Sequence, residues 1–209
     1  MSGSRLQQPL PPIVLASASP ARARLLAQAG IEVGVQVAPV DEALVREGLR
    51  VDGVGGAEAA VALASLKGER VALGVPPETL VLAGDQLLET DDGAWLEKAE
   101  SADALVEQLS SLQGRTHRLH TAAVLFRDGA RIWHHVTSPR VTLRPFDRDF
   151  ARRYVEAAGD ALLGCVGGYQ LEGLGPHVVA AVAGDAFAVQ GLPLLAVVDA
   201  LRTQGALAR

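Results

Sequence analysis

The chain has 209 residues, 49% of them hydrophobic and 21% charged, enough for one generous domain or two tightly joined lobes around a sizeable core. Only 4% is aromatic, so the core must be built mainly from Ala, Val and Leu, and stacking on exposed nucleobases is disfavoured. A formal charge of −5 argues against a nucleic-acid partner, which needs a basic face, and the single cysteine, Cys165, excludes an internal disulfide framework.

Met1 to Pro12 is polar and proline-rich and is expected to be a disordered tail ahead of a single domain spanning residues 13–209. No apolar run approaches the ~18–20 residues that span a bilayer, so no membrane association and a cytoplasmic location are expected. Ile13 to Ala16 predicts a short buried strand. Ser17-Ala18-Ser19-Pro20 then opens a helix that Gly30 ends. Val33, Val35 and Val37 alternate as a strand does, and Pro39 to Gly56 predicts an acidic loop with a helical turn. A helix is expected from Ala57 to Leu73, with Ala60, Leu63, Ala64 and Val71 on one stripe and Lys67 on the same stripe.

Leu80 to Ala83 predicts a buried strand ending at Gly84-Asp85, and Ser101 to Leu109 predicts a helix. Two β segments, Arg115 to Phe126 and Arg131 to Leu143, are joined by the turn residues Asp128-Gly129. Asp147 opens a helix to Ala158, and Gly164 to Gly175 is rich in glycine. Val178 to Val182 and Phe187 to Gln190 predict strands, and Pro193 starts a final helix. Strands and helices alternate early while a hairpin interrupts the middle, which predicts an α/β fold with a mixed central sheet.

Several residues carry candidate chemistry. Ser17, Ser19, Pro20 and Arg22 would combine two hydroxyls, a guanidinium and the free amides of a first helical turn into an anion site; an ordinary capped helix with a surface arginine fits the same residues. Asp85 after a strand is placed to hold a metal or orient water, or to form a turn. Asp41-Glu42 offers another metal carboxylate or a solvated acidic pair. Among 19 basic residues only Lys67 and Lys98 are lysine in a chain that otherwise writes positive charge as arginine. No P-loop, nucleophile elbow or dinucleotide fingerprint is present. His117 and His120 fall three apart on a predicted strand and face opposite ways, as do His134 and His135, which disfavours a histidine zinc site.

In order, Leu15-Ala-Ser-Ala-Ser-Pro20 with Arg22, Val40-Asp-Glu42, Leu63-Ala64 with Lys67, Ala83-Gly-Asp85 and Leu96-Glu-Lys98 resemble the Maf family of nucleotide pyrophosphatases. Gly114-Arg-Thr-His117, Thr121-Ala122, Tyr154, Gly167-Gly-Tyr169, Glu172-Gly173 and Gly191-Leu-Pro193 extend the match to nearly the whole chain. The resemblance implies a two-lobed α/β fold, like that of the inosine triphosphate pyrophosphatases, with a central mixed sheet flanked by helices and a substrate cleft. It implies hydrolysis of a nucleoside triphosphate to monophosphate and pyrophosphate with a divalent metal cation, Mg²⁺ or Mn²⁺, and a homodimer. It also implies roles: Asp85 as proton acceptor and, with Glu42, metal ligand; Lys67 and Lys98 as catalytic cations; Ser17, Ser19 and Arg22 as phosphate-binding residues.

Asp85-Gln86, Leu171-Glu-Gly173 and Cys165 resemble the branch of that family acting on 7-methyl-GTP, which makes Ala21, Gln86 and Glu172 candidate specificity residues. Ala21 matches neither branch, and Ala99 replaces the usual proline after Lys98. The alternatives are a dTTP/UTP pyrophosphatase, a nucleotide-binding regulator of cell division with little catalysis, and a partner-binding domain.

Overall fold

A computed structural model describes residues 6–208. Residues 1–5 of the expected tail lie outside the described residues. Farther along, Gln7 pairs antiparallel with Leu207, and the amides of Gln8 and Ala208 donate to the carbonyls of Ala206 and Leu6 at 2.9 and 2.7 Å. The two ends of the described chain are therefore stitched together.

The elements, in order, are β1 (Ile13–Leu15), α1 (Pro20–Gln28), β2 (Gly34–Val35), α2 (Glu42–Val51), α3 (Gly56–Ala72), β3 (Leu80–Thr90), β4 (Trp95–Leu96), α4 (Ala102–Leu112), β5 (Thr116–Arg127) and β6 (Ala130–Thr137). There follow β7 (Arg140–Leu143), α5 (Arg148–Ala158), β8 (Val179–Ala183), α6 (Ala186–Val189) and α7 (Leu194–Thr203). Among the described residues they form one eight-stranded mixed sheet in the order β2-β1-β3-β5-β7-β8, with β4 on β3 and β6 on β5. β1 is parallel to β2 and β3, and the remaining pairs are antiparallel.

Two lobes share this sheet because β3 and β5 are long enough to run through both, paired from Val81↔Phe126 to Thr90↔His117. In the first lobe the early half of β3 and the late half of β5 are covered on one face by α1 and α7 and on the other by α3, with Leu15, Leu26, Leu63 and Leu82 fully buried. In the second lobe Leu88 and Leu119 pack with Leu105 and Leu109 of α4, Val141 of β7 and Val155 of α5. Aliphatic residues fill both cores, as the composition requires. The alternating faces of β3 and β5 give each strand two buried sides.

Four expectations change. The acidic Pro39 to Gly56 segment is not mainly loop. Asp41 caps a ten-residue helix, accepting from the Leu44 amide at 3.0 Å, and α2 then lies on the surface with none of its residues buried. β3 does not end at Gly84-Asp85. It continues to Thr90 because β5 pairs with it throughout, and long-range pairing overrides the poor strand propensity of Gly and Asp. The second β segment breaks into β6 and β7 at Ser138-Pro139, since Pro139 has no amide to donate. Phe187 to Gln190 is not a strand. Asp185 accepts from the Phe187 and Ala188 amides at 2.9 and 3.2 Å and starts α6 there, a four-residue apolar run whose type periodicity alone does not decide.

Candidate functional site

A cleft of about 530 Å³ opens between the lobes, and Ser17, Ser19, Ala21, Arg22, Glu42, Lys67, Asp85, Gln86, Lys98 and Glu172 all line it. The structure thus gathers residues spread over most of the chain.

Its floor is set where β1 stops. Leu15 pairs with Leu82, and β3 runs on, so Asp85 lies three residues beyond that pair, just where the Ala16–Ser19 loop turns away. The strand end the sequence placed at Asp85 belongs instead to β1. Asp85 is 4% exposed; its Oδ1 accepts from Lys67 Nζ at 2.6 Å, and its Oδ2 is buried with no hydrogen-bond partner among the described residues. Lys67 arrives from α3, which lies close on the sheet because Gly68 has no Cβ: one there would stand 2.7 Å from the Phe126 ring. The same ammonium is 2.8 Å from Glu42 Oε2, so α2, α3 and β3 meet at one cation between two carboxylates.

The Ser17–Arg22 turn forms the adjoining wall. Ser19 caps α1 and Pro20 occupies its first turn, as the sequence predicts. Like α6 and α7, α1 has no acidic residue in its first turn, so none of its own side chains there offsets the positive end that faces the cleft. Arg22 is not a surface arginine. It is 8% exposed, and burial lowers its pKa from the usual arginine range, opposed by the charges of Asp85 and Glu42. Its Nε donates to the Gly191 carbonyl at 2.8 Å and its Nη1 to Ser17 Oγ at 2.9 Å. Gly84 gives it room, since a Cβ there would crowd it, 3.2 Å from Arg22 Nε and 3.1 Å from the Ala122 carbonyl. Ser17 Oγ also accepts from the Ser19 amide at 3.2 Å, which leaves its own O–H to donate outward.

The other end of the cleft is made from loops. Lys98 is exposed and makes no hydrogen bond or ion pair among the described residues, in contrast to Lys67. Glu172 Oε1 accepts from Arg24 Nη2 at 3.2 Å, with both side chains partly solvated. Gln86 is fixed: its Nε2 donates to Thr121 Oγ1 at 2.9 Å and to the Ala188 carbonyl at 2.8 Å, so its amide oxygen is the part available to a ligand. Cys165 and Gln170 line this end too, and burial pushes the Cys165 thiol up from its ordinary value.

Sequence reasoning missed Arg46, which lines the cleft one helical turn from Glu42 and pairs with Glu97 at 3.1 Å. Its signal is the four-residue spacing from Glu42, which carries meaning only on a helix, where the sequence predicts a loop. It also missed Tyr169 as a lining residue, although the residue was part of a recognised stretch. His117 and His120 are buried and do not join in a metal site. Among the described residues no group of three or more His, Cys, Asp or Glu could hold a metal ion.

No helix among the described residues is long and apolar enough to cross a membrane. Comparison with known proteins gives a clear relationship. The chain is 43% identical over 198 residues to a nucleoside triphosphate pyrophosphatase of Rhodospirillum rubrum, covering 95% of this chain and 97% of the relative. A protein of the same description from Paramagnetospirillum magneticum is 44% identical over 194 residues, covering 93% and 99%. A 7-methyl-GTP pyrophosphatase of Rhizobium etli is 38% identical over 195 residues, covering 93% and 97%. Among solved structures, a dITP/XTP pyrophosphatase from Mycobacterium abscessus has 16% identity and a TM-score of 0.37 over 64% of this chain and 74% of that one, too loose a likeness to carry an argument. Residues 12–204 match the family described as Maf-like protein, and the chain belongs to that family.

Proposed function

We propose that the protein hydrolyses a nucleoside triphosphate between its α- and β-phosphates, releasing a monophosphate and pyrophosphate. The observation that carries this reading is Asp85: a buried carboxylate with one oxygen held by Lys67 and the other without a hydrogen-bond partner among the described residues, at the floor of a cleft whose walls donate hydrogen bonds and positive charge. The relatives' descriptions support the same reaction.

The α1 amides, the Ser17 hydroxyl and the remaining Arg22 N–H groups bind phosphate oxygens, and Lys67 and Lys98 add charge where negative charge grows on the departing pyrophosphate. Asp85 Oδ2 accepts the proton of the attacking water while the Lys67 contact keeps the carboxylate from turning. The donor set fits a hard divalent cation, because Mg²⁺ is commonly held by one or two carboxylates together with substrate phosphates, and Asp85 Oδ2, without a hydrogen-bond partner among the described residues, has a second lone pair beside the one that takes the proton. Glu42 and Asp85 would hold it, Mg²⁺ or Mn²⁺, and it supplies Lewis-acid stabilisation of the phosphate oxygens when bound.

For the base, the reading is a preference for 7-methyl-GTP or a related purine nucleotide. Glu172 and the Gln86 oxygen are acceptors at the loop end of the cleft, suited to the adjacent N–H donors of guanine, and a relative described as a 7-methyl-GTP pyrophosphatase supports it. Incubating the protein with a nucleotide panel and Mg²⁺ or Mn²⁺ and measuring pyrophosphate tests the activity. Binding without pyrophosphate release would instead favour a nucleotide-binding regulator.

A further inference from the structure

The stretches ending in His117 and Tyr169 take no part in the chemistry above, yet the structure joins them. His117 on β5 is fully buried, and its Nε2 lies 2.6 Å from the Tyr169 hydroxyl, the rings tilted 48° with centroids 5.7 Å apart. Tyr169 stands in the long connection between α5 and β8, whose residues Gly164, Cys165, Val166, Gln170 and Glu172 line the cleft.

The backbone before the tyrosine turns tightly against α4. Gly167 and Gly168 have φ of +84° and +70°, and a Cβ on Gly168 would stand 2.3 Å from Leu105 Cδ1. The other hydrogen bonds of residues 164–175 run within the connection and to the turn preceding it, apart from the solvated Arg24–Glu172 pair. Among the described residues, His117–Tyr169 is the only hydrogen bond between this loop and the central sheet. Burial holds the His117 pKa at about 4, so the ring is neutral and can share one proton-mediated bond with the phenol without burying a charge. Such a bond in a dry site is costly to leave half made.

We propose that His117 and Tyr169 are a positioning pair: their hydrogen bond anchors the 164–175 loop to the sheet and so sets the affinity for the nucleoside half of the substrate, leaving the phosphate half to β3, α1 and α3. The affinity part rests on the pyrophosphatase reading. The anchoring part does not.

Tyr169→Phe deletes only the hydroxyl, His117→Leu deletes the partner, and His117→Gln keeps a group that can hydrogen-bond. Expected for Tyr169→Phe and His117→Leu is a rise of about tenfold in nucleotide KM with kcat within about twofold, and an unchanged inhibition constant for inorganic pyrophosphate, which occupies only the phosphate end. His117→Gln should recover part of the loss. Deuterium uptake should rise across 164–175 and not in β3 or β5. A fall in kcat at constant KM, or a parallel weakening of pyrophosphate, overturns the assignment to the nucleoside half. Unchanged exchange in the loop overturns the anchor. If one deletion does not fold, the other and His117→Gln decide. If the wild type hydrolyses no nucleotide, the pyrophosphatase reading fails and the affinity claim with it, while the exchange contrast still tests the anchor.

Discussion

The two ends of the cleft are built by different means. At the phosphate end the cationic side chains are held from separate parts of the fold: Arg22 by Ser17 and Gly191, Lys67 by Asp85 and Glu42. At the loop end Gln86 is held by Thr121 and Ala188, but Lys98 has no hydrogen bond or ion pair among the described residues and Glu172 has only a solvated arginine, a pair worth at most about 1 kcal/mol. Donors held in place before the substrate arrives do not need to reorganise during reaction, which is what stabilising developing charge demands. Contacts that rearrange cheaply are suited to telling one base from another.

The contrast breaks if the fixed end proves dispensable. Asp85→Asn is nearly isosteric and should keep the fold, yet lose about 10²–10⁴-fold in kcat because an amide neither accepts the proton nor binds metal well. Pyrophosphate release beside a thermal melt checks it, and near-normal turnover by the folded variant would falsify the assignment. His117 sharpens the comparison from the other side. Burial lowers its folded pKa from 6.5 to about 4, so between these values the unfolded chain binds a proton that the folded one refuses. Stability therefore falls as pH drops from about 6.5 to about 4, by roughly 3 kcal/mol, and this contribution levels off below. Urea melts at stepped pH should show that loss in the wild type and not in His117→Leu.

The two lysines give the next, smaller effect. Lys67→Met removes the one cation hydrogen-bonded to buried Asp85 and leaves its charge only the neighbouring Arg22, so both turnover and stability should drop, the melting temperature by several degrees. Lys98→Met removes an exposed cation with no ion pair among the described residues and should raise nucleotide KM about tenfold without moving the melt. Equal behaviour of the two variants would erase the distinction between a fixed and a free end.

How much of this was legible in the sequence follows from how local each signal is. The α1 start, with Ser19 as cap and Pro20 after it, is a short-range feature and was readable directly. So was the α3 stripe, which placed Lys67 on the face that reaches Asp85. The continuation of β3 through Gly84-Asp85 was not, because both residues punctuate loops and only pairing with β5, dozens of residues later, keeps them extended. The reason for Gly84 was hidden for the same cause: it makes room for Arg22, a neighbour in space alone. Arg46 was lost with the helix that carries it. The His117–Tyr169 bond spans 52 residues, and neither stretch by itself points to the other.

The smallest expected effect lies at the freest contact, and it decides what the loop end reads. Guanine presents adjacent N–H donors on its Watson–Crick edge, whereas thymine and uracil place carbonyl acceptors beside a single N–H. With its amide hydrogens committed to Thr121 and Ala188, Gln86 can offer only its oxygen, and Glu172 offers two more acceptors once it leaves Arg24. An N7-methylated guanine also carries positive charge, which a half-solvated carboxylate favours, and the short Ala21 leaves space beside it. The expected order of kcat/KM is 7-methyl-GTP above GTP, and both above dTTP, UTP and CTP. Glu172→Gln should narrow the gap between 7-methyl-GTP and UTP about tenfold, or about 1.4 kcal/mol, with little change in melting temperature. Arg24→Ala carries the opposite sign: it frees the carboxylate, so the same gap should hold or widen. A wild type that prefers dTTP or UTP, or a Glu172→Gln variant with its parent's ranking, removes Glu172 from base recognition. A gap that narrows equally in Arg24→Ala would mean that the ion pair, and not the carboxylate, shapes this end of the cleft.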